Sequence, residues 1–331
     1  MAGNSPLLRF YHILRNYSMS NVKVRPYKLR CSKMIDICDC DVQDKEALAI
    51  FRAKRTNWNN WLFEDSLSIS NQIRHMLWKD AIFRTFNEAR RLTINRESES
   101  LGFNGPLLNL IDEDFAVSQV MAIRRLTDPN FYDPKKVVLS VPRLIDDMLA
   151  NIDIFTRENY VSHDGSKYEG LSFEKDGINK WMPWKKKHEN FDTLSNVSPQ
   201  NRSRTDRVNR SVFIKLNKEL KICKNLRTYS NKFIAHASDP IGRLILTENQ
   251  KKVTLDKLDQ CYKAIIRVSS FIGVIVLYEH ELGRVPTPQY NHLENIEKPM
   301  VSQGDLENLH NYWDKRVDEV IHWNQNLWTI L

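Results

Sequence analysis

Apolar residues recur along most of this chain at steps of three and four, the spacing of helices that bury one face. From Asp44 to Arg91 they fall at Leu62, Ile69, Ile73, Leu77, Ile82 and Phe86, and Trp58, Trp61 and Trp78 add bulk, so this stretch reads as helix. Gly102, Gly105 and Pro106 break the pattern over 95–106. A second helix is predicted from near Leu107 to Leu126, with Asp112, Glu113 and Asp114 in its first half and Arg124 and Arg125 at its end. That order of charge suits the helix dipole. Thr127-Asp128-Pro129 stops it, because proline disfavours a helical residue before it. Ser140 is a natural N-cap for a helix to Phe155, with Pro142 in its first turn and Leu144, Ile145, Met148 and Ile152 on its apolar side.

The strongest periodicity comes later. Val208, Val212, Leu216, Leu220, Cys223, Leu226, Tyr229 and Phe233 predict one long helix, capped by Thr205 or Asp206 and ending near His236. Asp239-Pro240 closes it, and 244–253 is a short hairpin or a loop. Thr254 and Ser302 then cap helices reaching about Glu281 and Trp323. Between 160 and 203 lie Gly165, Gly170, Gly177, Pro183, Pro199 and a Ser/Asn-rich run, which read as a long irregular loop insertion. The sum is an all-α fold, an antiparallel bundle of about six helices. Three segments are expected: a basic N-terminal arm over 1–40, a helical domain over 41–285, and a C-terminal helical extension over 286–331.

Composition narrows the classes. The 331 residues are 41% hydrophobic and 27% charged, a globular balance, and 10 glycines without β-branched alternation argue against a β-barrel or a dinucleotide-binding fold. Five cysteines, an odd and scattered set, do not form a disulfide framework, and Cys38-Asp39-Cys40 is too tight for a zinc site. No metal-ligand cluster or cofactor fingerprint is visible. Nor does any apolar run approach the roughly 18 residues that cross a bilayer. Ser269–Leu277, the most apolar stretch, reads as a buried helix, and the chain as soluble and cytoplasmic. Seven basic residues precede the first acid, Asp36. Such an acid-poor start reads as a transit peptide, or as a reading-frame artefact or loose arm ahead of a start at Met19 or Met34; lacking a sustained amphipathic helix, it fits the artefact or arm better.

A net charge of +8 suits an anionic partner without specifying one. Lys185, Lys186, Lys187, Arg202, Arg204, Arg207 and Arg210 bracket the irregular stretch, and form either a solvated face or an RNA-contacting one.

The residues Leu226-Arg227-Thr228-Tyr229-Ser230-Asn231-Lys232-Phe233-Ile234-Ala235-His236 carry the candidate chemistry. They resemble the signature helix of the HEPN superfamily, in its AbiU-like branch linked to phage abortive infection. That signature is an arginine followed at once by a polar residue, with a histidine about a turn further on. Ala122-Ile123-Arg124-Arg125-Leu126-Thr127-Asp128 is similar to the branch's upstream Arg-Leu-Asp segment, and the likeness spans about 55 to 285. The resemblance implies RNA as partner and metal-independent RNA cleavage in a bacterial defence or stress system. It also implies a site composed across a homodimer, with no cofactor. A histidine would move the proton and an arginine would hold the phosphate.

The sequence departs from that signature at Ser230, where arginine is expected. Arg227 stands nine residues before His236, about half a turn away around a regular helix. Lys232 shares a face with His236 but lacks the bidentate fork, and Arg124 or Arg125 could reach the site from the other helix. Catalytic candidates are therefore His236, Asn231 and Lys232, in a degenerate ribonuclease motif; RNA-contact candidates are the seven basic residues above with Arg124 and Arg125. Asn231 and His236 also suit a plain structural role at a helix C-terminus. The other reading of the whole chain is a non-catalytic module that binds a protein partner. Asp112, Glu113, Asp114 and Asp128 read as solvated capping carboxylates, and Trp313 and Trp323 as packing for the last helix, although they and Trp328 could stack bases.

Overall fold

The computed structural model describes residues 35–94, 104–129, 138–169, 174–175, 178–179, 183–235, 238–279, 282–283, 285–296, 298 and 303–322. The fold is all-α. Its only strand pairing among the described residues is a two-residue antiparallel hairpin, β1 (Glu174–Lys175) on β2 (Ile178–Asn179). Two compact units divide the chain, Lys28–Pro286 and a second containing Thr287–Leu331.

In the larger unit, Asp44 caps α1 (Lys45–Asn59) by accepting the Ala47 N–H at 2.8 Å. A π-helical turn, Asn60–Glu64, follows. The helix expected to continue to Arg91 stops there, and α2 (Ile69–Ile94) is a separate element. The reason is local. The Asp65 carboxylate accepts the Leu67 N–H at 2.7 Å and the Asn71 amide bonds the Asp65 carbonyl at 3.1 Å, a side-chain turn that competes with the helix. α3 (Gly105–Thr127) is capped by Asn104. α4 (Val141–Ala150) is capped by Ser140 and gives way to a 3-10 turn before Phe155. Trp58 stacks on Phe155 with centroids 5.6 Å apart, and Phe51 meets the same ring edge-on at 5.1 Å, at the centre of the core.

The 160–203 stretch departs most from expectation. It carries α5 (Arg157–Ser162) into its start, α6 (Pro183–Ser195), and a 3-10 turn at Pro199–Asn201. Phe191 and Leu194 on α6 are fully buried. A buried guanidinium fastens this part. Arg157 reaches Asp206 at 2.8 Å, Asp192 at 2.8 Å and Ser195 at 3.2 Å. Asp206 is thus an ion-pair partner, not a helix cap. Asn209 caps instead, and the predicted long helix is four pieces: α7 (Arg210–Glu219), a 3-10 turn at Leu220–Cys223, α8 (Lys224–Tyr229) and a π turn at Ser230–Ile234.

Asp239 does not merely end a helix; it caps a short one, α9 (Pro240–Leu244), and no strand forms over 244–253. Thr254 caps α10 (Leu255–Phe271), which runs into a third π turn, Ile272–Val276, ending short of Glu281. The second unit holds α11 (Leu306–His322), with a 3-10 turn before it; Ser302 and Trp323 lie outside the described residues. Trp313, expected to pack this helix, is 70% exposed. Among the described residues no helix is long and apolar enough to cross a membrane.

Candidate functional site

Met121, Arg124 and Asp128 lie three, then four residues apart, so the C-terminal end of α3 presents them on one side. α8 and the π turn that follows pack against this side. Arg227 donates to the Thr127 carbonyl at 2.6 Å, and Ser230 Oγ donates to Met121 Sδ at 3.3 Å. The two sequence stretches singled out above are therefore in direct contact, although about a hundred residues separate them.

Asp128 is half-buried here, between Arg124 and Arg227. Burial raises its carboxyl above the ordinary value, and the two guanidiniums pull against that rise. Arg124 stands 3.9 Å from it. Asp128 is thus part of the seam rather than the solvated cap expected, whereas Asp112 does pair at the surface, with Arg90 at 2.9 Å. Arg125, one residue on, projects about 100° around the helix. It is exposed at a groove between α3 and α2, beside His75 and Lys79, which no motif in the sequence marks. The available signal was their i, i+4 spacing on one face of α2.

The motif residues separate. Ser230 is fully buried beneath Met121, so the signature's arginine position faces the core. Asn231 is exposed. Lys232 is half-buried and turned toward the 238–242 turn; a Cβ on Gly242 would stand 3.7 Å from its ammonium and 3.4 Å from Asp239. His236 lies outside the described residues. The half-turn estimate between Arg227 and His236 assumed a regular helix, and the π turn at 230–234, closed by the Ala235 N–H on the Ser230 carbonyl at 2.8 Å, breaks that regularity. Such turns are rare and collect at functional sites.

The basic run around α6 is neutralised. Lys187 is buried, not surface-facing, and its ammonium bonds Asp164 at 2.8 Å and the Val161 carbonyl at 3.0 Å. Arg202 pairs with Asp192 at 2.5 Å, Arg204 with Glu158 at 2.7 Å, and the exposed Arg207 with Asp153 at 2.7 Å. Lys186 meets Glu189 at 3.4 Å, and among the described residues Lys185 and Arg210 are the cations of this set with no ion-pair partner. Among the described residues no group of three or more His, Cys, Asp or Glu gathers to hold a metal.

The chain matches no family model, no curated protein and no solved structure.

Proposed function

We propose that this chain is an RNA-directed, AbiU-like HEPN protein of a bacterial defence or stress system, acting by holding RNA rather than by cutting it. The observation that carries this reading is the Arg227–Thr127 bond, which brings together the two stretches on which the resemblance depends. Arg124 and the exposed Arg125 lie at the end of α3, against which the motif helix packs, and Asn231 in the following π turn is exposed, so a phosphate backbone can be tracked across this end. Cleavage is disfavoured by Ser230, whose buried hydroxyl cannot make the phosphate contact of an arginine, and by Arg227, whose guanidinium is engaged by a backbone carbonyl.

The experiment is incubation of single-stranded RNA with the purified protein in EDTA. The reading predicts a retained, uncut RNA. Metal-independent cleavage that disappears in His236→Ala would replace it with an active ribonuclease.

The non-catalytic protein-binding reading is favoured by one feature. Ile241, Leu244 and Ile245 on and just after α9 are each about three-quarters exposed on one helix face. The proposal assigns this face to a second copy of the chain, as the resemblance implies. Light scattering at twice 39.0 kDa supports that assignment, and a monomer removes it.

A further inference from the structure

The groove between α2 and α3 gathers basic groups from two helices with no carboxylate among its lining residues. α2 contributes His75 and Lys79, one turn apart, and α3 contributes Ser118 and Arg125, two turns apart, to a cavity of about 250 Å³. No aspartate or glutamate lines it. Lys79 is held only by the Ser118 hydroxyl, at 2.9 Å, and among the described residues Arg125 and His75 have no hydrogen-bond or ion-pair partner. The floor is fixed: Gln119 is fully buried, accepts the Tyr262 hydroxyl at 2.9 Å and donates to the Met76 carbonyl at 3.4 Å.

We propose that this groove is a binding site for a phosphoryl group, clamped between Lys79 and Arg125 with the His75 imidazole and the Ser118 hydroxyl as further donors. An arginine supplies two parallel N–H bonds to phosphate and a lysine a point charge, and here the two come from opposite walls. The cavity is smaller than the ~300–1,000 Å³ pockets that take drug-sized ligands, which suits a single phosphoryl head better than a whole cofactor. Burial holds His75 below its ordinary value, helped by Lys79, Arg74 and Arg125. Those are the charged groups that face it: Arg74 and Lys79 on its own helix, Arg125 on α3. A bound phosphate dianion reverses their effect and recharges the ring. The groove shares Arg125 with the RNA reading but adds His75, Lys79 and Ser118, which lie outside it, and a phosphoryl group arrives equally on a free anion, a mononucleotide or an RNA 5′ end.

The test is calorimetric titration of the full chain with inorganic phosphate, AMP, and a short oligoribonucleotide carrying either a 5′-phosphate or a 5′-hydroxyl. The His75 ring proton is followed by NMR. Phosphate is expected to bind and to raise the pH at which His75 titrates. Arg125→Glu and Lys79→Met, both at exposed positions, are expected to weaken binding on the order of tenfold or more. Lys215→Ala, on α7, serves as the unchanged control. A preference for the 5′-phosphorylated RNA assigns the group to an RNA end, and equal binding of phosphate and AMP assigns it to a free anion; either supports the groove. Phosphate that fails to bind, or that binds both variants as tightly as the parent chain, overturns it. Lys79→Met, outside the residues of the RNA reading, separates the two: RNA binding that persists there while phosphate binding falls leaves both standing, and phosphate binding that is unchanged there removes the groove alone.

Discussion

Arg227 Nη1 donates to the carbonyl of Thr127 at 2.6 Å, and Thr127 is the last residue of α3. That carbonyl has no intrahelical partner, as holds for the last turn of any helix. A guanidinium from the motif helix fills the vacancy, so the bond both ends one helix and seats the other.

Arg227→Ala is accordingly expected to cost about 1.5–3 kcal/mol, the range for hydrogen bonds involving charged groups. Arg227→Lys should recover part of it. Urea unfolding checks this; an unchanged midpoint in the alanine variant would mean the bond carries no weight.

Rebuilding the family signature should fail in an informative way. Ser230 is fully buried against Met121, so Ser230→Arg forces a long charged side chain into a packed seam. A loss of about 3 kcal/mol or more is expected, with no gain of RNA cleavage. A stable Ser230→Arg protein that cuts RNA in EDTA would show that position 230 opens toward a substrate after all.

A pH dependence follows from the buried His163 and its neighbour Asp164, whose side chain is about half exposed. Burial lowers the affinity of the His163 imidazole for a proton, and Arg55 and Lys187 lower it further. The unfolded chain binds that proton more readily, so the group's stabilising contribution is complete above about pH 6.5 and is lost as pH falls. The carboxyl of Asp164, although burial opposes it, is held below its ordinary range by His163 and Lys187, which extends the loss below about pH 4. The slope for His163 alone is at most about 1.4 kcal/mol per pH unit. His163 Nδ1 donates to the Tyr160 carbonyl at 2.9 Å, and Asn at 163 can mimic that donor without titrating. Stability curves from pH 7 to pH 5 should flatten in His163→Asn. A variant with the parent's slope would place the titration elsewhere.

Much of the helical content is legible along the chain because its signals are local. Ser140 and Thr254 have the residue type and position of caps, and each accepts the N–H three residues on, at 3.3 Å. The region around α6 is not legible in the sequence because its burial is not local. Lys187 sits in a run of three lysines, yet its partner Asp164 lies 23 residues away, and without that partner a buried ammonium is implausible. Phe191 and Leu194 stand three residues apart, a helical spacing that the surrounding glycines and prolines mask. The seam between α3 and α8 was only half visible. The residues of both stretches stood out; that Ser230 would face Met121 depends on how two distant helices are rotated, which no spacing encodes.

The account turns on whether RNA is held at the end of α3. The direct measurement is fluorescence anisotropy of a labelled single-stranded RNA in EDTA across a salt series, with the parent chain and Arg124→Glu/Arg125→Glu. The parent should bind with an affinity that falls linearly in log–log form with salt, and the double variant should lose about tenfold or more at low salt. RNA that does not bind at low salt, or that binds the double variant as tightly, contradicts the account.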